Sequence, residues 1–184
     1  MKVSPTIKSS FAIHEVVVLT GFTKHMLDYL ARENIFAPTA YRPGIRGARR
    51  RYTYEDVVLL RALNTICAGK GKIRHLKDSL LEFRATFGPM KPGQRLDKQL
   101  LVQGDELCTY TAAEGGRQLR SGQMTFSFVV DLAMVSQAVA DCFEVGPKSG
   151  EFKLTEMVAR EAEEERQRIW APMKARREAA AGSA

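Results

Sequence analysis

The apolar and polar positions near the start of the chain follow a helical period. They predict a first helix from Phe11 to Leu19, although its run of three valines also has the propensity of a strand. A second helix is predicted from Thr23, a typical N-cap residue, through Asn34. Because Gly21 lies between them, the pattern predicts a helix, a turn and a second helix.

The helical period returns in two further segments. Thr-Tyr-Glu-Asp at 53–56 predicts a capped helix whose first turn carries two acids, and its apolar face continues to Cys67. A Gly-Lys-Gly-Lys turn at 69–72 separates this helix from a fourth one, predicted from Ile73 to about Phe87.

Beyond these helices the period changes to that of strands. Two prolines and two glycines in residues 88–93 predict a linker. One hairpin is predicted from residues 100–102 and 107–111, and a second from residues 117–120 and 124–130. The pattern therefore indicates a small antiparallel sheet.

Two helical segments close the chain. Asp131 is predicted to cap an apolar helix that runs to about Phe143 and packs on the strands. The segment from Leu154 to Ala181 is prone to form a helix and dense in charge, and Pro172 is expected to kink or end it. A helix that docks a partner or dimerises and a solvated tail both fit this last segment.

The stretch from Tyr41 to Tyr52 carries five arginines between the two helical pairs. Pro43, Gly44 and Gly47 favour a tight reversal, and the aromatic flanks fit two short strands that meet as a hairpin. A basic hairpin beside a helical pair is the outline of a winged helix, and its arginines suit phosphate. The alternative is a solvated loop with surplus charge.

The charged residues are unevenly distributed along the chain. The chain carries a net charge of +7; residues 1–87 hold 15 basic against 7 acidic side chains, and residues 88–184 hold 13 against 14. A basic surplus confined to one part attracts polyanions and favours nucleic acid over a membrane surface. No membrane span or signal peptide is predicted, so we expect a cytoplasmic protein.

No catalytic or metal-binding constellation is predicted. The three histidines have no cysteine or acid at ligand spacing, and the three cysteines are far apart without a CxxC motif. Lys70-Gly71-Lys72 lacks the spacing of a phosphate loop and separates two helices. We therefore expect no enzyme activity and no cofactor.

The basic features predict a DNA-binding surface. The start of the second helix can enter the major groove, while the hairpin and the turn at 69–72 reach phosphates or a narrow minor groove. The predicted DNA-contacting residues are Thr23, Lys24, His25, Tyr41, Arg42, Arg46, Arg49, Arg50, Arg51, Tyr52, Lys70, Lys72 and Arg74.

The order of these elements resembles the winged-helix domain of MerR-type transcription regulators over residues 11–87. The resemblance rests on the helix-turn-helix pattern, the hairpin that ends in Arg-Arg-Arg-Tyr52 and the helix that opens with Thr-Tyr-Glu-Asp56. It implies a dimeric, cytoplasmic, bacterial or phage protein with a recognition helix and two wings on DNA. The family usually has Leu-Arg-Tyr-Tyr-Glu in its second helix, where this chain has Leu27-Asp28-Tyr29-Leu30-Ala31. Since a carboxylate repels phosphate, we expect Asp28 to face away from DNA.

The chain departs further from the family downstream. Its members follow the fourth helix with a long antiparallel dimerising helix, whereas here a linker and a β-rich segment intervene. The metal-sensing cysteines of the family have no counterpart at matching positions. A regulator that acts through dimerisation or a protein partner therefore fits better than an inducer-sensing activator.

The predicted fold class is α+β, and three functions remain open. The first is a sequence-specific regulator that binds double-stranded DNA as a homodimer. The second is an adaptor or antitoxin-like component that binds a partner protein through residues 94–184, and the third is an architectural or recombination-directing DNA binder. The predicted organisation is a flexible arm at 1–10, a MerR-like winged helix at 11–87, a linker at 88–93, a strand-rich assembly domain with a helix at 94–145, and a charged C-terminal helix or tail at 151–184.

Overall fold

Helices and short strands alternate along the chain, which confirms the predicted α+β class. The structure is a computed structural model. It describes residues 6–7, 10–39, 50–68, 73, 76–87, 98–103, 106–111, 115–117, 128–145 and 151–181.

The four helices predicted in the N-terminal part are present in the predicted order. The second helix ends at Arg32, just before Asn34, whose φ is 53°. The fourth begins at Lys77 and not at Ile73, because Ile73 and Leu76 lie in turns and are joined by a bond from the Leu76 N–H to the Ile73 carbonyl (3.2 Å). Among the described residues the helices are α1 Ile13–Thr20, α2 Lys24–Arg32, α3 Tyr54–Ala68, α4 Lys77–Phe87, α5 Leu132–Ala140 and α6 Glu156–Ala181.

The described strands form three sheets. The strands are β1 Thr6–Ile7, β2 Phe11–Ala12, β3 Arg51–Tyr52, β4 Gln99–Gln103, β5 Glu106–Thr111, β6 Gly115–Arg117, β7 Phe128–Asp131, β8 Phe143–Val145 and β9 Glu151–Leu154. β1, β9 and β8 form one sheet in that order, β2 pairs with β3, and the third sheet has the order β6-β5-β4-β7.

The first predicted hairpin is confirmed, because β4 and β5 are antiparallel, with Val102 opposite Leu107. Most of the second predicted hairpin falls on residues 118–127, which lie outside the described part. Of its described residues, Arg117 belongs to β6, which pairs with β5, and residues 128–130 belong to β7, which pairs with β4. Alternation of apolar and polar residues predicts a strand but not its neighbour.

Asp131 caps α5 as predicted, since its carboxylate accepts from the N–H groups of the next turn. The helix ends at Ala140 and not near Phe143, which belongs to β8. Phe143 packs its ring against Phe11 and Tyr54, at centroid distances of 5.7 and 6.2 Å. Burial of this aromatic residue against β2 and α3 explains why the helix does not continue to it.

The strand-rich segment packs on the helix-turn-helix part. Leu100, Val130 and Leu132 are buried in the same apolar cluster as Val57 and Leu60 of α3. α5 contacts α3 as well as β4 and β7, which extends the predicted packing on the strands. The predicted linker at 88–93 lies outside the described residues, and the described residues on its two sides share one core.

The two ends of the chain meet the N-terminal part. β1 pairs in parallel with β9, so the prediction of an unstructured arm at 1–10 is wrong at Thr6–Ile7. α6 packs along α1 and buries Val158 and Ala162. Pro172 was expected to kink or end this helix; the helix does not end there but continues to Ala181, and Pro172 is exposed.

Candidate nucleic-acid interface

A left-handed glycine sets the angle between α1 and α2. Gly21 has a φ of 77°, and its N–H donates to the Val17 carbonyl at 2.9 Å, which ends α1. A Cβ at this position would lie 2.8 Å from Nδ2 of Asn64 on α3. Glycine is therefore favoured both by the backbone conformation and by the close approach of α3.

The first turn of α2 is exposed. Thr23 is its N-cap, as predicted, and its Oγ1 accepts from the Met26 N–H at 3.2 Å. Leu27 and Leu30 bury the opposite face of the helix. The predicted contact residues Thr23 and His25 are exposed, so the start of α2 is available to a groove.

The exposed side of α2 extends to a residue that was not predicted as a contact. His25, Tyr29 and Arg32 follow one another at spacings of four and three, which places them on one face of the helix. The Arg32 guanidinium lies 5.9 Å from the centre of the Tyr29 ring. The helical spacing from His25 was the signal that could have identified Arg32.

Asp28 joins two of the predicted contact residues. Its Oδ2 accepts from Lys24 Nζ one turn earlier on α2, and its Oδ1 accepts from Nη1 of Arg50 at 2.6 Å. Asp28, which was expected to face away from DNA, therefore lies among the predicted contact residues. The carboxylate stays beside these cations because both of its oxygens are paired with them.

β3 separates an outward from an inward side chain. Arg51 is exposed, whereas Tyr52 is 1% exposed and packs in the core. The Tyr52 hydroxyl lies near the Arg50 guanidinium without a hydrogen bond of normal geometry, and burial raises its pKa to about 12 although Arg50 acts to lower it. The prediction that Tyr52 contacts DNA is corrected here, because a buried ring in the core does not reach a groove.

The described partner of β3 is β2, with Phe11 opposite Tyr52 and Ala12 opposite Arg51. The first strand of the hairpin predicted at Tyr41 lies outside the described residues. The Arg-rich stretch therefore ends on a strand that is fixed to the start of α1.

A buried carboxylate fixes the elements behind the surface. Thr53 and Asp56 form the predicted reciprocal cap of α3: Thr53 Oγ1 accepts from the Asp56 N–H, and Asp56 Oδ2 accepts from the Thr53 N–H. Asp56 is 1% exposed and also accepts from the N–H and hydroxyl of Thr39 and from Nη2 of Arg84 (2.9 Å). The Arg84 guanidinium lies 3.9 Å from the centre of the Phe36 ring. These contacts connect α3, α4 and the segment after α2, and the separation of the residues in sequence gave no signal for them.

Seven predicted contact residues lie outside the described part of the chain. They are Tyr41, Arg42, Arg46, Arg49, Lys70, Lys72 and Arg74. Of the thirteen predicted residues, the structure brings Lys24 and Arg50 together through Asp28, exposes Thr23, His25 and Arg51, and buries Tyr52.

Neither a metal site nor a membrane span is present among the described residues. No group of three or more His, Cys, Asp or Glu side chains there could hold a metal ion. No helix in that part is long and apolar enough to cross a membrane.

The capped pair α1 and α2, its glycine turn and the adjoining Arg-bearing strand define a helix-turn-helix protein. Residues 11–80 match the family model described as MerR HTH family regulatory protein. Over these residues the chain is thus similar to MerR-type regulators, and at the level of that family the match supports a DNA-binding regulator of transcription. The match covers less than half of the 184 residues. No curated protein matches the chain significantly.

Proposed function

We propose that the protein is a sequence-specific regulator of transcription that binds double-stranded DNA as a homodimer. In this proposal α2 enters the major groove and the basic stretch that ends at β3 contacts phosphates or a narrow minor groove. The protein acts in the bacterial cytoplasm, where its operator is found, and it needs no cofactor.

The observation that supports this function most directly is the exposed first turn of α2. Thr23, Lys24 and His25 lie at the end of the helix that a helix-turn-helix protein presents to base edges. Lysine and histidine can each donate to guanine or to phosphate. Sequence choice is therefore assigned to these residues.

The basic strand supplies the contacts that do not depend on sequence. Arg51 is exposed on β3, and Arg50, directly before it, donates to Asp28 of α2. Phosphate contacts of this kind position a protein on the duplex. The buried Tyr52 holds the strand by its other face.

Homodimerisation fits the small size of this surface. A single helix-turn-helix reads few base pairs, and paired half-sites solve the problem of finding one site in a genome.

α6 is the element we assign to the dimer. Its residues 156–165 carry five acidic and one basic side chain, whereas residues 166–181 carry five basic and one acidic. Two such helices in antiparallel orientation place opposite charges together.

Selection of bound duplexes from a random pool tests the proposal. The full chain should enrich one motif made of two inverted half-sites, with centres separated by about 10 base pairs or a multiple of this. His25→Ala should lose the enrichment, whereas Lys153→Ala, an exposed change on β9, should keep it. A pool that shows no enrichment above non-specific DNA would contradict sequence-specific binding.

Binding of a partner protein is the second candidate function, and two exposed apolar side chains favour it. Val129 at an edge of the four-stranded sheet and Met134 on α5 are 50% and 70% exposed. Both lie within residues 94–184, the segment assigned to a partner in this alternative. Co-purification that depends on these two side chains, with no measurable duplex binding by the full chain, would favour this function over the first.

A further inference from the structure

We propose that Asp28 lowers the affinity of this surface for DNA of arbitrary sequence by holding Lys24 and Arg50 on its carboxylate. The inference rests on the proposed DNA-binding function and deepens it. It assigns to an acidic residue of α2 the task of making binding depend on the correct bases.

The geometry shows one acid shared by two cations. Asp28 Oδ1 accepts from Arg50 Nη1 at 2.6 Å, and Oδ2 accepts from Lys24 Nζ. One of these partners lies four residues earlier on the same helix and the other lies 22 residues later, directly before β3. The carboxylate therefore links the first turn of α2 to the end of the Arg-rich stretch.

The three side chains are open to a ligand. The exposed fraction is 38% for Lys24, 33% for Arg50 and 34% for Asp28. A pair buried to this partial extent adds little to the stability of a fold. The cluster is thus better explained by what it does to an approaching polyanion than by a contribution to folding.

Charge determines that effect. The two cations together with Asp28 carry one net positive charge. A phosphate that takes either cation must compete with the carboxylate and also approaches a negative charge. Contacts to phosphate are made on every DNA sequence, and each releases roughly one counterion, so this competition lowers non-specific binding throughout. Contacts to base edges form only at the correct site, and there they compensate for the weakened phosphate contacts.

The test compares two substitutions that each remove one negative charge from α2 or its end. Asp28→Asn frees Lys24 and Arg50, whereas Glu33→Gln, the matched control, removes an acid that pairs with Arg32 at 3.4 Å. The affinity of the full chain for a random-sequence duplex and for its selected duplex is measured by fluorescence anisotropy over a series of salt concentrations.

Asp28→Asn should bind the random duplex about tenfold more tightly at low salt, with a log–log salt slope steeper by about one unit. Its affinity for the selected duplex should rise less, so that the ratio of specific to non-specific affinity falls. Glu33→Gln should change both quantities much less. If Asp28→Asn and Glu33→Gln behave alike, the proposal is wrong.

If Asp28→Asn does not fold, a second variant, Lys24→Gln, tests the proposal. In the intact cluster, Lys24→Gln should reduce the salt slope by well under one unit, because Asp28 already neutralises part of the charge, whereas Arg51→Ala should remove about one unit. Equal losses from the two would overturn the proposal.

Failure of the proposed function has a different signature. If the wild-type chain binds no duplex of any sequence at low salt, DNA binding itself is rejected. If it binds, and these variants do not differ as stated, only the role of Asp28 is rejected.

Discussion

Tyr52 determines which side of the Arg-rich strand faces outward. Its ring is buried beside Phe11 on the neighbouring strand, so the preceding residue, Arg51, is turned to the surface. Tyr52, which was predicted to contact DNA, therefore anchors the strand, and the exposed Arg51 is the residue that can make such a contact. The hydroxyl of Tyr52 lies in the core without a hydrogen bond of normal geometry, which is an unfavourable place for a polar atom.

Tyr52→Phe should therefore stabilise the fold or leave it unchanged at pH 7, with a gain of up to about 1 kcal/mol in the free energy of unfolding. The two proteins should diverge at high pH. The pKa of Tyr52 is about 12 in the folded state against 10.0 for an ordinary tyrosine, so between these values the unfolded state loses the proton that the folded state retains. Stability that is complete below pH 10 is then lost by roughly 1.4 kcal/mol per pH unit as the pH rises toward 12.

Urea unfolding of both proteins from pH 8 to 12 measures this difference. All other residues are the same in the two proteins, so the difference between the two curves reports on Tyr52. Curves that remain parallel above pH 10 would show that the folded state does not hold this proton.

Residue-scale features were predictable where the bond is local. Thr23, Thr53 and Asp131 were predicted as caps because a cap and the N–H it accepts from lie within three residues of each other. The burial of Tyr52 and the pairing of Asp28 with Arg50 depend on how separate elements pack. Composition and spacing carry no direct signal for such contacts.

At the scale of elements, Asp56 and Arg84 hold the framework of the candidate interface. The Asp56 carboxylate is 1% exposed and satisfies Thr39, the cap of α3 and the guanidinium of Arg84, whose side chain is 19% exposed. An ion pair at this depth is costly to break from one side, because the remaining charge keeps its desolvation without its partner.

Asp56→Ala should lower the free energy of unfolding by about 3–5 kcal/mol. Asp78→Ala, which removes an exposed acid from the first turn of α4, is the control and should lie within about 0.5 kcal/mol of wild type. Chemical denaturation of wild type and the two variants measures these differences in the free energy of unfolding. A loss below 1 kcal/mol for Asp56→Ala would mean that this network does not hold the elements together.

The helices and strands were easier to predict than the elements against which they pair or pack. The four N-terminal helices and the hairpin of β4 and β5 have strong periodicity and local connections, whereas β6 and β7 lie on opposite edges of the sheet. The pairing of β3 with β2 and the position of α6 on α1 likewise join parts of the chain that are distant in sequence. A one-dimensional pattern specifies which face is apolar but not what covers it.

At the scale of the whole molecule, one core connects the helix-turn-helix part with the strand-rich segment. The division into two domains predicted from the Pro- and Gly-rich residues 88–93 did not indicate this shared packing. α6 then adds its own surface, because one side packs on α1 while residues such as Glu161, Glu164 and Arg168 remain exposed.

Charge reversal on α6 tests its assignment to the dimer. Glu161→Lys with Glu164→Lys leaves residues 156–165 with no net charge, and Arg168→Glu with Lys174→Glu does the same for residues 166–181, so neither variant keeps opposite charges on its two halves. Each double variant should dimerise at least about tenfold more weakly than wild type, and a mixture of the two should associate again as a heterodimer. Light scattering after size-exclusion chromatography measures all three samples, and undiminished self-association of both variants would remove α6 from the interface.

The most direct measurement of the central claim is the salt dependence of binding to the selected duplex and to a scrambled one. Wild type should prefer the selected duplex at every salt concentration. Arg51→Ala should weaken binding to both duplexes by a similar factor and reduce the log–log slope by about one unit. Lys153→Ala on β9 also removes one positive charge and should leave the affinity and the slope unchanged. Equal affinity of wild type for the two duplexes, or a slope that Arg51→Ala does not alter, would contradict the account.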